Sequence, residues 1–114
     1  MVMLNMAEAI NRALREIMKE DGSVVLLGED VGAHGGVHGV TKGLLDLYGK
    51  ERVIDTPISE IAIVGVGIGA AMNGLKPIVE IMYLDFMSIP MEQIINHAAQ
   101  AKFMSAGKLK VPLV

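Results

Sequence analysis

The chain has 114 residues, 52% of them hydrophobic, 20% charged and 4% aromatic, which is enough to bury one core and too little for a multidomain enzyme. Its thirteen Gly and the absence of Cys exclude a disulfide scaffold and a cysteine nucleophile. The net charge of −3, with basic residues scattered along the chain, leaves a nucleic-acid role nothing to rest on.

From Asn5 the apolar residues Ala7, Ile10, Leu14, Ile17 and Met18 recur at helical spacing, and Asn5 and Glu8 stand where a capping box would be. Asp21-Gly22 ends this amphipathic helix. Val24-Val25-Leu26-Leu27 then reads as a parallel strand covered on both faces. A glycine-rich loop from Gly28 to Gly39 leads to a short helix starting near Thr41 and closing at Gly49. Val53-Ile54-Asp55-Thr56 forms a second strand closed by Pro57, and Ser59 stands where it can cap a helix running from Glu60 to about Met72. Ile78 to Met82 is a third strand, Pro90 to Met104 a helix, and Val111 to Val114 the start of a fourth strand. Strands alternating with helices predict an α/β fold, with a mostly parallel sheet and helices on both faces, in a single domain over residues 1–114.

The longest apolar run, Ile61 to Met72, falls short of a membrane span, and the start Met1-Val2-Met3-Leu4 carries no leader pattern. A cytoplasmic, soluble protein is the expectation. Nine Met and a mean hydropathy of +0.46 predict that another chain covers part of the apolar surface. Because the chain ends inside its fourth strand, it reads as the front portion of something longer.

Three groups of residues could carry chemistry. The run from Gly65 to Ala70 contains G-x-G-x-x-A, with Asp85 downstream, as in dinucleotide folds. Asn73-Gly74 stops the following helix too early for a crossover, so these glycines are expected to let a buried helix approach its neighbours closely. His34 and His38 have the spacing of a zinc-binding helix but sit among glycines, which favours a loop, and His97 is expected to be an ordinary helix histidine. Glu60 opens a nearly uncharged helix after a strand end and a rigid Pro turn. Its carboxylate can serve merely the helix dipole, or burial against an apolar wall can raise its pKa so that it holds a proton. Asp85-Phe86 follows the third strand at the same carboxyl edge, where an acid and an aromatic ring suit a flat heteroaromatic ligand, although Phe86 can equally be core.

The motif Val53-Ile54-Asp55-Thr56-Pro57-Ile58-Ser59-Glu60, with Leu26 to Gly32 upstream and Gln93 to Ala99 downstream, resembles the β subunit of the E1 component of 2-oxo acid dehydrogenases. Pyruvate, branched-chain 2-oxo acid and acetoin dehydrogenases share this pattern, and the resemblance covers about the first third of a typical subunit. It implies the pyrimidine-binding domain of a transketolase-like thiamine diphosphate enzyme. Glu60 matches the glutamate that hydrogen-bonds N1′ of the aminopyrimidine and drives its tautomerisation. Phe86 matches the aromatic that stacks on that ring, and Ile58, like Asp55 and Ser59, belongs to the same motif. The implied reaction decarboxylates a 2-oxo acid and passes the acyl group to the lipoyl arm of an E2 partner.

The resemblance further implies that the diphosphate and Mg²⁺ are held by a partner E1 α subunit, with a second β subunit completing an α2β2 assembly. The loop from Gly32 to Gly39 would then lie near a subunit contact, and Ser105-Ala106-Gly107 stands where the family has Ser-Gly-Gly. On this reading the isolated chain is inactive. The competing expectations are a non-catalytic assembly fragment and a small NAD-binding domain built on Gly65 to Ala70.

Overall fold

A computed structural model describes residues 3–114; Met1 and Val2, on which the reading of the N-terminus partly rests, lie outside the described residues. Helix α1 (Met6–Glu20) begins at the predicted capping box: Asn5 Oδ1 accepts the Glu8 amide and Glu8 returns the bond to the Asn5 amide, each at 2.9 Å. Its inner face buries Leu14 and Met18.

Strand β1 (Val24–Gly28) is buried along its whole length because both faces are covered. Val24 and Leu26 join Leu14, Met18, Val31, Leu44 and Val53 in one core, under α1 and the short helix α2 (Leu44–Tyr48). Val25 and Leu27 face the other way and pack with Ile63 of α3 (Glu60–Met72). The period-two alternation of a strand thus divides one apolar run between two cores. With β2 (Val53–Asp55) and β3 (Lys76–Val79), β1 makes a three-stranded parallel sheet in the order β2-β1-β3.

Several boundaries differ from the sequence reading. α2 starts at Leu44 rather than near Thr41, because Thr41 is buried and donates its hydroxyl to the Val31 carbonyl at 2.6 Å, while Gly43 turns the chain at φ +75. Ser59 precedes α3 but does not cap it; its hydroxyl donates to the Pro57 carbonyl at 3.0 Å. β3 begins two residues before the expected Ile78 and ends at Val79 rather than Met82, which leaves Glu80 beyond the strand. No fourth strand forms at 111–114, yet Val114 donates to Pro77 O at 3.1 Å and accepts from Val79 N at 2.7 Å, the bond pattern of a parallel bridge on the outer edge of β3. The expected helix from Pro90 widens into a π-helical stretch, Gln93–Ala98, before α4 (Ala99–Met104).

The glycine run lies inside α3, not in a strand and turn. A Cβ on Gly67 would sit 2.6 Å from Val79 Cγ2 and 3.0 Å from Leu113 Cδ1, so this glycine lets the helix close onto the sheet edge. The dinucleotide reading loses its structural context here, and the close-approach reading holds for Gly67 but not for Gly69, where an added Cβ would meet nothing within 4 Å.

The amino edge of the sheet is fastened by polar contacts. Asp21 accepts from Ser23 N and Oγ at 2.8 and 2.6 Å and from Lys76 Nζ at 2.5 Å, while Arg52 donates to the carbonyls of Asp21 and Val24. These bonds, the Lys76 ammonium foremost, hold the Asp21 carboxyl well below the usual carboxylate range.

Candidate functional site at the carboxyl edge of the sheet

Parallel strands deliver their carboxyl ends to one edge, and here each end is followed by a polar side chain with an unsatisfied buried atom. Glu29 follows β1, Thr56 follows β2 and Glu80 follows β3; Glu29 Oε1, Thr56 Oγ1 and Glu80 Oε2 are shielded from solvent without a hydrogen-bond partner among the described residues. The last two carbonyls of β1 position two of these residues: Leu27 O accepts the Glu80 amide at 2.9 Å, and Gly28 O accepts the Thr56 amide at 3.0 Å. Gly28 has no room for a side chain, since a Cβ would lie 2.9 Å from Glu80 Cβ.

Burial pushes the Glu80 carboxyl above its ordinary range; the nearby Glu29 carboxylate adds to the rise and His38 opposes it. The sequence reading did not single out Glu29 or Glu80. Nothing in an apolar run such as Ile78 to Met82 says that its one acid lies just past the end of a neighbouring strand.

Glu60 is the first residue of α3 and partly buried, and its carboxylate has no hydrogen bond among the described residues. Ile58, in the bend before it, is 84% exposed. Phe86 lies in a 3-10 turn, Leu84–Ser88, beyond β3 and is 39% exposed, so it is not core. The fold brings Glu60, Ile58 and Phe86 to the same edge on different elements. Glu60 follows β2 and Phe86 follows β3, with β1 between them; the flanking strand ends are therefore two strand spacings apart, roughly 10 Å.

The glycine-rich loop closes over this edge under several restraints. Asp55 accepts the amides of Gly32 at 2.6 Å and Ala33 at 3.2 Å, and Asn11 and Arg15 of α1 donate to the carbonyls of Val40 and Lys42, both at 2.7 Å. The two loop histidines diverge. His34 is exposed, with Nδ1 3.3 Å from Asp30 Oδ1, whereas the His38 ring meets the Tyr83 ring edge-on at 6.1 Å. Among the described residues no group of three or more His, Asp or Glu gathers as a metal site. His97 lies with Nε2 3.3 Å from Glu92 Oε1 on the exposed side of its helix.

Comparison with known proteins places the chain in a family. Residues 2–114 match the family model described as transketolase, pyrimidine binding domain. The chain is 49% identical to the mitochondrial pyruvate dehydrogenase E1 component subunit beta-1 of rice, over 97% of the chain and 30% of the relative. To the mitochondrial pyruvate dehydrogenase E1 component subunit beta of pea it is 49% identical, over 97% of the chain and 31% of the relative. To the 2-oxoisovalerate dehydrogenase subunit beta of Bacillus subtilis it is 46% identical, over 100% of the chain and 35% of the relative. The chain thus spans about a third of the length of the relatives it matches. The mitochondrial rice and pea relatives overturn the cytoplasmic expectation. That expectation rested on the lack of a leader pattern in the first residues, and an absence of that kind does not fix a compartment.

Proposed function

Because the chain belongs to the transketolase pyrimidine binding domain family, we propose that it is the aminopyrimidine-binding part of a thiamine diphosphate-dependent E1 β subunit of a 2-oxo acid dehydrogenase. The observation that carries this reading is the convergence at one sheet edge of an unpartnered carboxylate, Glu60, and a half-exposed ring, Phe86.

The donor set suits the group. An aminopyrimidine offers ring-nitrogen acceptors and an amino donor along its edge and a flat π-face, which call for a carboxyl group able to hold a proton and for an aromatic side chain. The unsatisfied oxygens of Glu29, Thr56 and Glu80 supply further acceptors at the same edge. Protonated Glu60 would donate a hydrogen bond to the lone pair of N1′ and pass that proton to and fro with it. Phe86 would stack on the ring, and Ile58 would offer it an apolar contact. Bound in this way, thiamine diphosphate supplies the carbon nucleophile and electron sink that decarboxylation of a 2-oxo acid requires.

We assign the diphosphate and its Mg²⁺ to an E1 α partner, and the acceptor of the acyl group to a lipoyl-bearing E2. The exposed apolar side chains of Ile61 and Val66 on α3, with Leu84 at 87% and Phe103 at 87% exposure, support coverage by E1 α and a second β chain. One pyrimidine-binding domain, inactive by itself, is the role this leaves to the chain.

The test is thiamine diphosphate and Mg²⁺ titrated calorimetrically into the chain assembled with its E1 α subunit, together with exchange of the thiazolium C2 proton. Glu60→Gln is expected to slow that exchange by about 100-fold or more. Near-normal exchange in the variant would refute the role of Glu60. Assembly that never responds to the cofactor would leave the chain an assembly fragment.

A further inference from the structure

Three aromatic rings stand in series between the glycine-rich loop and the candidate site. His38 meets Tyr83 with centroids 6.1 Å apart and planes at 87°, and Tyr83 meets Phe86 at 5.8 Å and 89°. Edge-to-face contacts of this kind fix the orientation of a ring, because the positive edge of one points at the negative face of the next. Phe86 needs such a contact. At 39% exposure it is not gripped by the core, and Tyr83, which precedes its 3-10 turn, is itself 42% exposed.

The first ring of the series rests on a braced support. Thr41 ties the loop to Val31 and Asn11 ties Val40 to α1, so the segment carrying His38 is held on the side that leads back into the core. Asp55 pins the opposite flank at Gly32 and Ala33.

We infer that His38 is a positioning residue for Phe86, acting through Tyr83, and that the glycine-rich loop thereby sets the plane on which the aminopyrimidine stacks. The second half of this inference rests on the proposed pyrimidine site; the ring coupling does not. Ring shape is what the coupling requires, so phenylalanine at position 38 should preserve it and alanine should not. A charge effect between His38 and the nearby Glu80 would instead be lost in both variants.

The experiment has two readouts. In the 114-residue chain, Phe86 and Phe103 are the only phenylalanines, so the Phe86 ring protons can be assigned by NMR with the help of Phe103→Leu. His38→Ala and Tyr83→Leu should both shift the Phe86 ring resonances, and His38→Phe should restore an ordered, shifted set. In the assembly with E1 α, His38→Ala should weaken thiamine diphosphate binding by about three- to tenfold, the scale of one aromatic pair, with His38→Phe within about twofold of wild type.

Unchanged Phe86 resonances in His38→Ala would overturn the coupling, whatever the cofactor does. Moved resonances with unchanged affinity would overturn the tuning of the stacking plane. Wild-type binding that is indifferent to Phe86→Ala would count against the pyrimidine site itself, and the tuning would fall with it while the ring coupling stood on its NMR signature.

Discussion

The carboxylate of Asp55, the last residue of β2, accepts the backbone amide of Gly32 at 2.6 Å and so ties the end of one strand to the loop that leaves its neighbour. A Cβ on Gly32 would lie 2.5 Å from Asp55 Oδ2, so the contact requires a glycine there. Charge-assisted bonds to backbone amides are among the stronger ones in a fold. Asp55→Ala should cost about 1–2 kcal/mol in urea unfolding. A loss below a few tenths of that figure would show that the loop holds its place without the bond.

Gly67 marks the closest approach of α3 to β3. Gly67→Ala gains helix propensity of about 1 kcal/mol. That gain must work against a Cβ 2.6 Å from Val79 Cγ2 in a filled contact, and overpacking of this kind costs about 1–3 kcal/mol. A net loss of stability is expected, larger for Gly67→Val, whereas Gly69→Ala meets nothing within 4 Å and should be neutral or stabilising. Thermal melts of the three variants check the order.

Glu80 makes stability depend on pH in a defined direction. Its folded pKa is raised above the ordinary 4.5, chiefly by burial, so the folded state favours the neutral acid. That contribution is fully present below about pH 4.5 and is lost as pH rises through the folded value. Glu80→Gln should therefore flatten the fall of the melting temperature above pH 4.5. Parallel pH profiles for variant and wild type would show the acid to be uncoupled from folding.

Ala106 adopts φ +52 and is followed by Gly107 at φ +83, so a residue with a Cβ occupies left-handed backbone. Ala106→Gly removes that strain but frees the unfolded chain. A net gain of roughly 0.5–1 kcal/mol is expected by chemical denaturation. A destabilised variant would mean that the methyl group makes a packing contribution larger than the strain.

Much of this arrangement was legible in the sequence because local and tertiary preferences agree. Asn5 and Glu8 close the capping box, Val24 to Leu27 makes a doubly covered strand, and Asn73-Gly74 ends α3 where the pattern says. The start of β3 at Lys76 is less legible, since the apolar run begins only at Ile78 and Pro77 precedes it. Lys76 N donates to Ser23 O and Glu80 N to Leu27 O, so alternate amides face β1 and the proline nitrogen points to the other side, where no donor is missed. The widened turn at Gln93–Ala98 escapes any periodicity argument, since Ile94, Ile95 and Ala98 satisfy an α-helical pattern equally well. At the candidate site, the placement of Glu60 at the head of α3 and of Phe86 past the end of β3 could be read from their neighbours. Glu80 and Glu29 were not, because their burial at one edge comes from strand register, which links residues far apart in sequence.

Leu27 and Gly28 are consecutive, and their carbonyls carry Glu80 on one flank and Thr56 on the other. Both flanks are thus levelled against a single datum instead of through the long loops that join them. Positional errors in those loops do not accumulate at the edge, in the way that two shelves fixed to one upright stay level whatever lies between their far ends. Insertions away from the glycine-rich loop, such as at Gly49 behind α2, should therefore be tolerated at the edge, whereas a one-residue slip of β1 would displace both flanks together.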